Sequence, residues 1–463
     1  MKKSLLVVAG EASGDMHAAA VLAELKKRNP DIHCWGIGGD KLLEQGMRLI
    51  YHAKKMDVLG FVEVIKRYPF FKKVFNELLT KVDREKPDAA LLIDYPGFNL
   101  RLAKELKQRG IKVLYYICPQ VWAWKKDRIP LMAETIDRLM VIFPFEVDVF
   151  KDVDLTVDFV GHPMLKELRE ARTAKSQDLP WGEGKKIALL PGSREQEIRH
   201  ILPGLLRTAL QMEQSRLDVN FLIAVPAQRE AMVKRMVQRG KIAPLHCSVV
   251  SNCSREVLRQ ADAALVASGT ATLEAALLGC PTVLVYKTNP ITYALAKHFI
   301  QIKWLGIVNI IAEREIMPER IQHSMRPGEL AVTVDPLMED TPQRDTMIAD
   351  FETIDGKLGD GDPAARVAQI ICEELGLSTV SEEKNVPVVD DPAQKETEPE
   401  VEAEPEVETE AEPEVEVEPE IETKPEVETK AKPEAEAKLE VEAEPEVEAE
   451  AEVEAEDGLK DSE

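Results

Sequence analysis

A lone carboxylate closes the apolar run in AALLIDYPGFNL (89–100): the run ends at Asp94, the chain turns at Pro96 and Gly97, and a helical pattern begins at Asn99. A carboxylate delivered to the C-terminal end of a strand lies where open α/β sheets bind their ligands. Two later turns have the residues to hold an anion. In LLPGSREQE (189–197) a strand ends at Leu190, Pro191 and Gly192 turn the chain, and Ser193 with Gln196 three residues on has a capping-box pattern. Arg194 beside such a helix start makes an anion site able to hold a pyrophosphate without a metal. In ASGTATLEAALLG (267–279), Ser268, Gly269, Thr270 and Thr272 bring small donors to another helix start. Glu274 there has two readings, a partner for the helix dipole or an acceptor for a pair of sugar hydroxyls.

Other stretches carry weaker chemistry. GEASGD (10–15) is not GxGxxG, so a dinucleotide is disfavoured; Ser13 and Gly14 admit a close ligand, and Asp15 has the plain alternative of complementing a helix dipole. CPQVWAWKKDR (118–128) sets Trp122 and Trp124 past a strand with Lys125, Lys126 and Arg128 behind them, which suits either core packing or a phosphorylated sugar. FVEVIKRYPFFKKVF (61–75) mixes Val62, Val64, Ile65, Phe70 and Phe71 with Lys66, Arg67, Lys72 and Lys73. It reads as a core helix or as an interfacial membrane segment, divided by Pro69. Asp152 and Asp154 have the DxD spacing of a metal–nucleotide site but read as a solvated loop, and His162 in VGHP reads as a turn residue.

These motifs need elements to position them. Short apolar runs at 5–9, 89–95, 112–117, 138–143, 186–192, 220–225, 263–269 and 281–286 alternate with segments of helical period, which predicts parallel sheets covered on both faces. The polar stretch 169–186 divides the series into two Rossmann-like domains, 1–170 and 185–377, whose strand ends share a cleft. The helical piece 362–376 is expected to close the folded part.

The net charge of −24 over 463 residues is concentrated in one place. Ser381–Glu463 holds 34 Asp and Glu against 7 Lys and Arg, leaving 52 basic and 49 acidic residues for the remainder. Repeats of EPEVEAEPEVE without an aromatic residue predict a disordered acidic tail over 378–463. The slightly basic body gives no sign of a nucleic-acid partner. No stretch approaches the roughly 20 apolar residues of a spanning helix, and Leu5–Ala9 is short for a signal peptide. Six scattered cysteines without a CxxC pair suit a reducing cytoplasm and argue against structural zinc.

Taken in order, GEASGD, IDYPGFN, PQVWAWK, VGHP, LLPGSR, SGTATLE and VNIIAERE closely resemble the lipid-A-disaccharide synthases, from about Leu5 to Leu377. The resemblance implies an α/β chain of GT-B type, with the acceptor on the N-terminal domain and the nucleotide sugar on the C-terminal one. It implies inverting transfer of diacylglucosamine from UDP to diacylglucosamine 1-phosphate (lipid X), with a β(1→6) link, UDP as product and no metal cofactor. Asp94 is the implied base. Gly192, Ser193, Arg194, Ser268, Gly269, Thr270, Thr272, Glu274 and Asn309 are the implied donor-side residues. Glu11, Ser13, Asp15, Asn99, Trp122, Trp124 and Lys125 are the implied acceptor-side ones. Peripheral association with an anionic inner membrane follows from the acylated substrates, with a homo-oligomer left open. The family's usual proline and glycine around Asn309 are replaced here by Val308 and Glu313. Another GT-B transferase or epimerase, or a non-enzymatic interaction protein, are the alternative readings.

Overall fold

The structure, a computed structural model, describes residues 2–56, 61–216, 218–239, 244–290, 292–294, 302–359 and 361–377; for 61–66 it gives the backbone alone. The tail expected over 378–463 lies outside the described residues.

Seven parallel strands form the first sheet: β1 (Ser4–Ala9), β2 (His33–Gly38), β3 (Arg48–His52), β4 (Ala89–Ile93), β5 (Lys112–Tyr116), β6 (Arg138–Val141) and β7 (Thr156–Phe159), in the order β3-β2-β1-β4-β5-β6-β7. Six more form the second: β8 (Lys185–Leu190), β9 (Val219–Val225), β10 (Cys247–Ser251), β11 (Ala263–Ala267), β12 (Thr282–Tyr286) and β13 (Glu319–Ile321), in the order β10-β9-β8-β11-β12-β13. Both reverse direction beside their first strand, the switch point at which α/β sheets open a crevice.

The continuous apolar runs are explained by burial on two faces. Along β1, Leu6 and Val8 belong to one core, with Val74, Leu78, Leu102 and Leu106 from the helices Phe61–Glu85 and Pro96–Gln108. Leu5, Val7 and Ala9 belong to another, with Val21 and Leu22 from the helix Ala12–Arg28.

Four of the strands that the sequence left unassigned, β3, β7, β10 and β13, lie at or beside sheet edges and are mostly half-buried, so they lack a long apolar run. The fifth, β2, is hidden by glycine. Gly36 has φ +147°, and a Cβ there would come within 2.0 Å of the Val7 carbonyl oxygen.

Two expected boundaries are corrected. Leu165 and Leu168, from the helix Leu165–Thr173, are buried in the core of the second sheet, so the crossing precedes residue 170. The helix Pro363–Leu375, expected within 185–377, returns to the first sheet, where Val367, Ile370 and Ile371 are buried with Leu5, Val7 and Ile93. The chain therefore crosses twice, and the crossings touch: His162 N–H donates to the Leu358 carbonyl at 3.2 Å, and Arg169 binds Asp355 at 2.9 Å and the Gly359 carbonyl at 3.1 Å.

Pro69 does not divide its segment, because one helix runs through it. The hydrogen bond forfeited at proline is offset by Phe70, Phe71 and Phe75, which pack half-buried on the first core. Of the expected membrane contacts, Phe70 and Phe71 are thus partly covered, Arg67 lies 5.3 Å from the Phe70 ring centroid, and Lys72 and Lys73 are exposed. The side chains of Val62, Val64, Ile65 and Lys66 lie outside the described residues.

Candidate functional site

Parallel register brings the first set of motifs together. Ala9 pairs with Ile93, and Ile93 with Tyr116, so the turns after β1, β4 and β5 lie side by side at one end of the sheet. Asp94 and Tyr95 follow β4 with φ of 44° and 54°, two successive left-handed residues of which neither is glycine. Such backbone costs of order 1–3 kcal/mol per residue and persists where the surroundings hold it. Here Asp94 N–H donates to the Tyr116 carbonyl at 3.0 Å, and the Asp94 carbonyl accepts from Tyr115 Oη and from Asn99 Nδ2, each at 2.7 Å. A Cβ on Gly10 would come within 2.5 Å of the Tyr95 ring, so the glycine of GEASGD is what lets that ring lie against the turn. The Asp94 side chain remains half-exposed at the strand ends.

Several residues expected to touch the acceptor have structural duties instead. Asp15 is buried and accepts from the amides of Gly39, Lys41 and Leu42 at 2.6, 3.0 and 3.2 Å, tying the first helix to the end of β2. Asn99 is buried and bonds the carbonyls of Ile93 and Asp94, so it shapes the turn. Trp122 is buried, with Nε1 donating to Glu146 Oε1 at 3.2 Å. Ser13 is exposed, and Glu11, Trp124 and Lys125 are half-exposed, with Lys125 Nζ 5.1 Å from the Trp124 ring centroid.

The second sheet brings Gly192–Arg194 and Ser268–Thr270 together, because β8 and β11 are neighbours with Leu190 opposite Val266. Gly192 and Gly269 have φ of 104° and 145°, which glycine adopts without strain. The expected cap is shifted by one residue: Arg194 is the N-cap of the helix Glu195–Ser215, and Glu197, in place of Gln196, closes the box. Glu197 Oε2 accepts from the amides of Ser193 and Arg194, each at 3.3 Å. A carboxylate thus occupies the N–H groups expected to hold a diphosphate, so those groups are already turned toward an anion.

Thr270 is exposed, whereas Thr272 is buried with Oγ1 bonded to the Gly269 carbonyl at 2.7 Å. Glu274 accepts from Arg255 Nε at 3.1 Å, and Arg255 Nη1 reaches Glu167 at 2.8 Å on the crossing helix. Asn309 is corrected from donor contact to scaffold. It is buried, donates to the Met317 carbonyl and to Glu319, and accepts from the amides of Ile316 and Met317, all at 2.8–2.9 Å. Glu313 has φ 59° and ends the helix Ile307–Ala312. The left-handed cap is thus made by a residue that adopts this conformation at a cost.

His162 is a turn residue, as expected. It is buried, its Nδ1 accepts from Met164 N–H at 3.3 Å, and burial, with His17 nearby, lowers its pKa to about 4. Asp152 and Asp154 are exposed, and among the described residues no group of three or more His, Cys, Asp or Glu could hold a metal ion. No helix among them is long and apolar enough to cross a membrane.

Sequence reasoning missed Glu146, which is 1% exposed and bonded to Trp122 and to the Phe143 amide. Its signal was a single acid in the aromatic run FPFE after β6. Burial raises its pKa from 4.5 to about 7, so the ionised form is penalised in the folded state. The stability it allows is full below the unfolded-state pKa and is lost as pH rises through 7, a total on the order of 3 kcal/mol. Urea unfolding from pH 4.5 to 8 should show that loss in the wild type and a flatter profile in Glu146→Gln.

A family model for lipid-A-disaccharide synthetase matches residues 5–361. The lipid-A-disaccharide synthase of Myxococcus xanthus is 37% identical over 376 residues, covering 80% of this chain and 97% of the relative. That of Geobacter sulfurreducens is 34% identical over 381 residues, covering 80% and 97%. A UDP-N-acetylglucosamine 2-epimerase structure from Listeria monocytogenes superposes with a TM-score of 0.57 at 14% identity, covering 81% of this chain and 97% of that one, a likeness of fold. Two Rossmann-like sheets joined by a double crossing make the GT-B architecture expected from the sequence.

Proposed function

Because the chain belongs to the lipid-A-disaccharide synthase family, glycosyltransferases of lipid A biosynthesis, we propose that it joins UDP-2,3-diacylglucosamine to 2,3-diacylglucosamine 1-phosphate with inversion, giving the β(1→6) disaccharide 1-phosphate and UDP. The observation that carries this reading is the strained turn that presents Asp94 at the strand ends of the first sheet. Asp94 takes the proton of the acceptor 6-hydroxyl as that oxygen attacks C1 of the donor sugar, and the C1–O bond to UDP breaks on the opposite face. The leaving diphosphate needs no protonation if its charge is held. Arg194 and the N–H groups of Ser193 and Thr270 are suited to hold it, with Glu197 giving way. Glu274 is suited to accept from sugar hydroxyls with the oxygen that Arg255 leaves open. Metal is dispensable in this scheme because arginine and helix amides supply the positive charge.

Both substrates carry fatty chains, so the enzyme works at a membrane surface. The slightly basic body and the lysines at 72 and 73 favour an anionic one. Incubation of the purified protein with both substrates, read by mass spectrometry, tests the proposal; absence of a disaccharide overturns it. Arg194→Ala should raise the donor KM and lower kcat/KM about tenfold, the size of a charge-assisted hydrogen bond. EDTA should leave the rate unchanged, and a rate abolished by chelator and restored by magnesium would return attention to Asp152 and Asp154.

A further inference from the structure

Glu146 lies in the short helix Phe145–Val149 after β6, and its two oxygens bind two different loops. Oε1 accepts from Trp122 Nε1 at 3.2 Å, in the loop after β5, and Oε2 accepts from Phe143 N–H at 3.0 Å, in the loop after β6. The Phe145 ring meets Trp122 edge-on at 5.0 Å and stacks on Phe143 at 5.7 Å, so the two residues that bond the carboxylate are also joined through one ring. Two residues beyond Trp122, the Trp124 ring has the Lys125 ammonium at 5.1 Å and the Arg128 guanidinium at 5.9 Å from its centroid. Cys118, at the start of the same loop, is buried. Asp94, Cys118 and Glu146 stand past the ends of β4, β5 and β6, which are neighbours in that order.

We propose that Glu146 is a positioning residue for the acceptor: by holding Trp122 it fixes the Val121–Trp124 helix so that Trp124, Lys125 and Arg128 form a seat for the phosphomonoester of a sugar 1-phosphate on the β5 side of Asp94. This rests on the reading that the first sheet receives the acceptor. A buried carboxylate is a demanding anchor, because it must keep both N–H donors or remain unsatisfied. That demand locks the two loops to one another. Two cations beside one aromatic ring are suited to hold a phosphate dianion next to a sugar.

Calorimetric binding of a short-chain diacylglucosamine 1-phosphate, and of the same sugar without its phosphate, tests the proposal, with UDP binding measured in parallel. The wild type should prefer the phosphorylated sugar. Glu146→Leu should reduce that preference at least fivefold and leave the UDP affinity within twofold, and Glu146→Gln, which retains one acceptor, should fall between. Trp122→Phe, which keeps the ring and loses the N–H, should reproduce part of the loss, and the double variant should lose no more than Glu146→Leu alone. A wild type indifferent to the phosphate overturns the inference, as does a folded Glu146→Leu that retains the preference or loses UDP to the same degree. If the wild type forms no disaccharide yet shows a Glu146-dependent preference, the proposed reaction fails and the seat stands.

Discussion

Asp94→Asn should lower turnover a hundredfold or more at saturating concentrations of both substrates, with donor KM and thermal midpoint unchanged. The turn that presents this residue is held through its backbone, by the bonds to Tyr116, Tyr115 and Asn99, and asparagine adopts left-handed φ as readily as aspartate. The substitution therefore removes the proton acceptor and leaves its mounting. Disaccharide formation by mass spectrometry, paired with UDP titration, separates the two. A rate near that of the wild type would remove Asp94 from the mechanism.

Ile371→Ala should destabilise the protein by about 2–5 kcal/mol, the range for deleting a fully buried aliphatic side chain. The loss should fall on the first sheet, although residue 371 lies nearly 200 positions after the start of the second. Ile371 belongs to the same core as Leu5, Val7, Leu91 and Ile93, so amide exchange in β1 and β4 should accelerate while β8 and β9 stay protected. Val332→Ala, at a side chain 76% exposed, should change stability by no more than about 0.5 kcal/mol. Equal loss of protection in both sheets would contradict the assignment of this helix to the first domain.

The central strands were legible in the sequence because burial on both faces leaves an unbroken apolar run, as in LLVVA and AALLI. Position in the sheet hid β3, β7, β10 and β13, which are edge strands that need no such run, and glycine hid β2. Within the site, Asp94, Gly192 and Gly269 were recognisable from turn chemistry, which is local. The duties of Asp15, Asn99, Trp122 and Asn309 were not, because a polar side chain at a strand end reads the same whether it faces a ligand or a buried amide. Only the fold supplies the amides of Gly39, Lys41 and Leu42 to Asp15 or the carbonyl of Met317 to Asn309. Domain boundaries failed for a similar reason: the helices 165–173 and 363–375 are amphipathic wherever they pack, and distant contacts decide which sheet they cover.

The returning helix also bears on synthesis. The last strand of the first sheet ends at Phe159, but the helix covering Leu5, Val7 and Ile93 begins only at Pro363. At roughly 5–20 residues per second, the ribosome takes about ten to forty seconds to make the chain between them. For that interval the part of the face beside the helix Ala12–Arg28 waits uncovered, and the first domain cannot finish ahead of the second. The nascent polypeptide is therefore a natural client for holdase chaperones, and a message truncated before codon 363 yields a product that presents that face to every other chain in the cell.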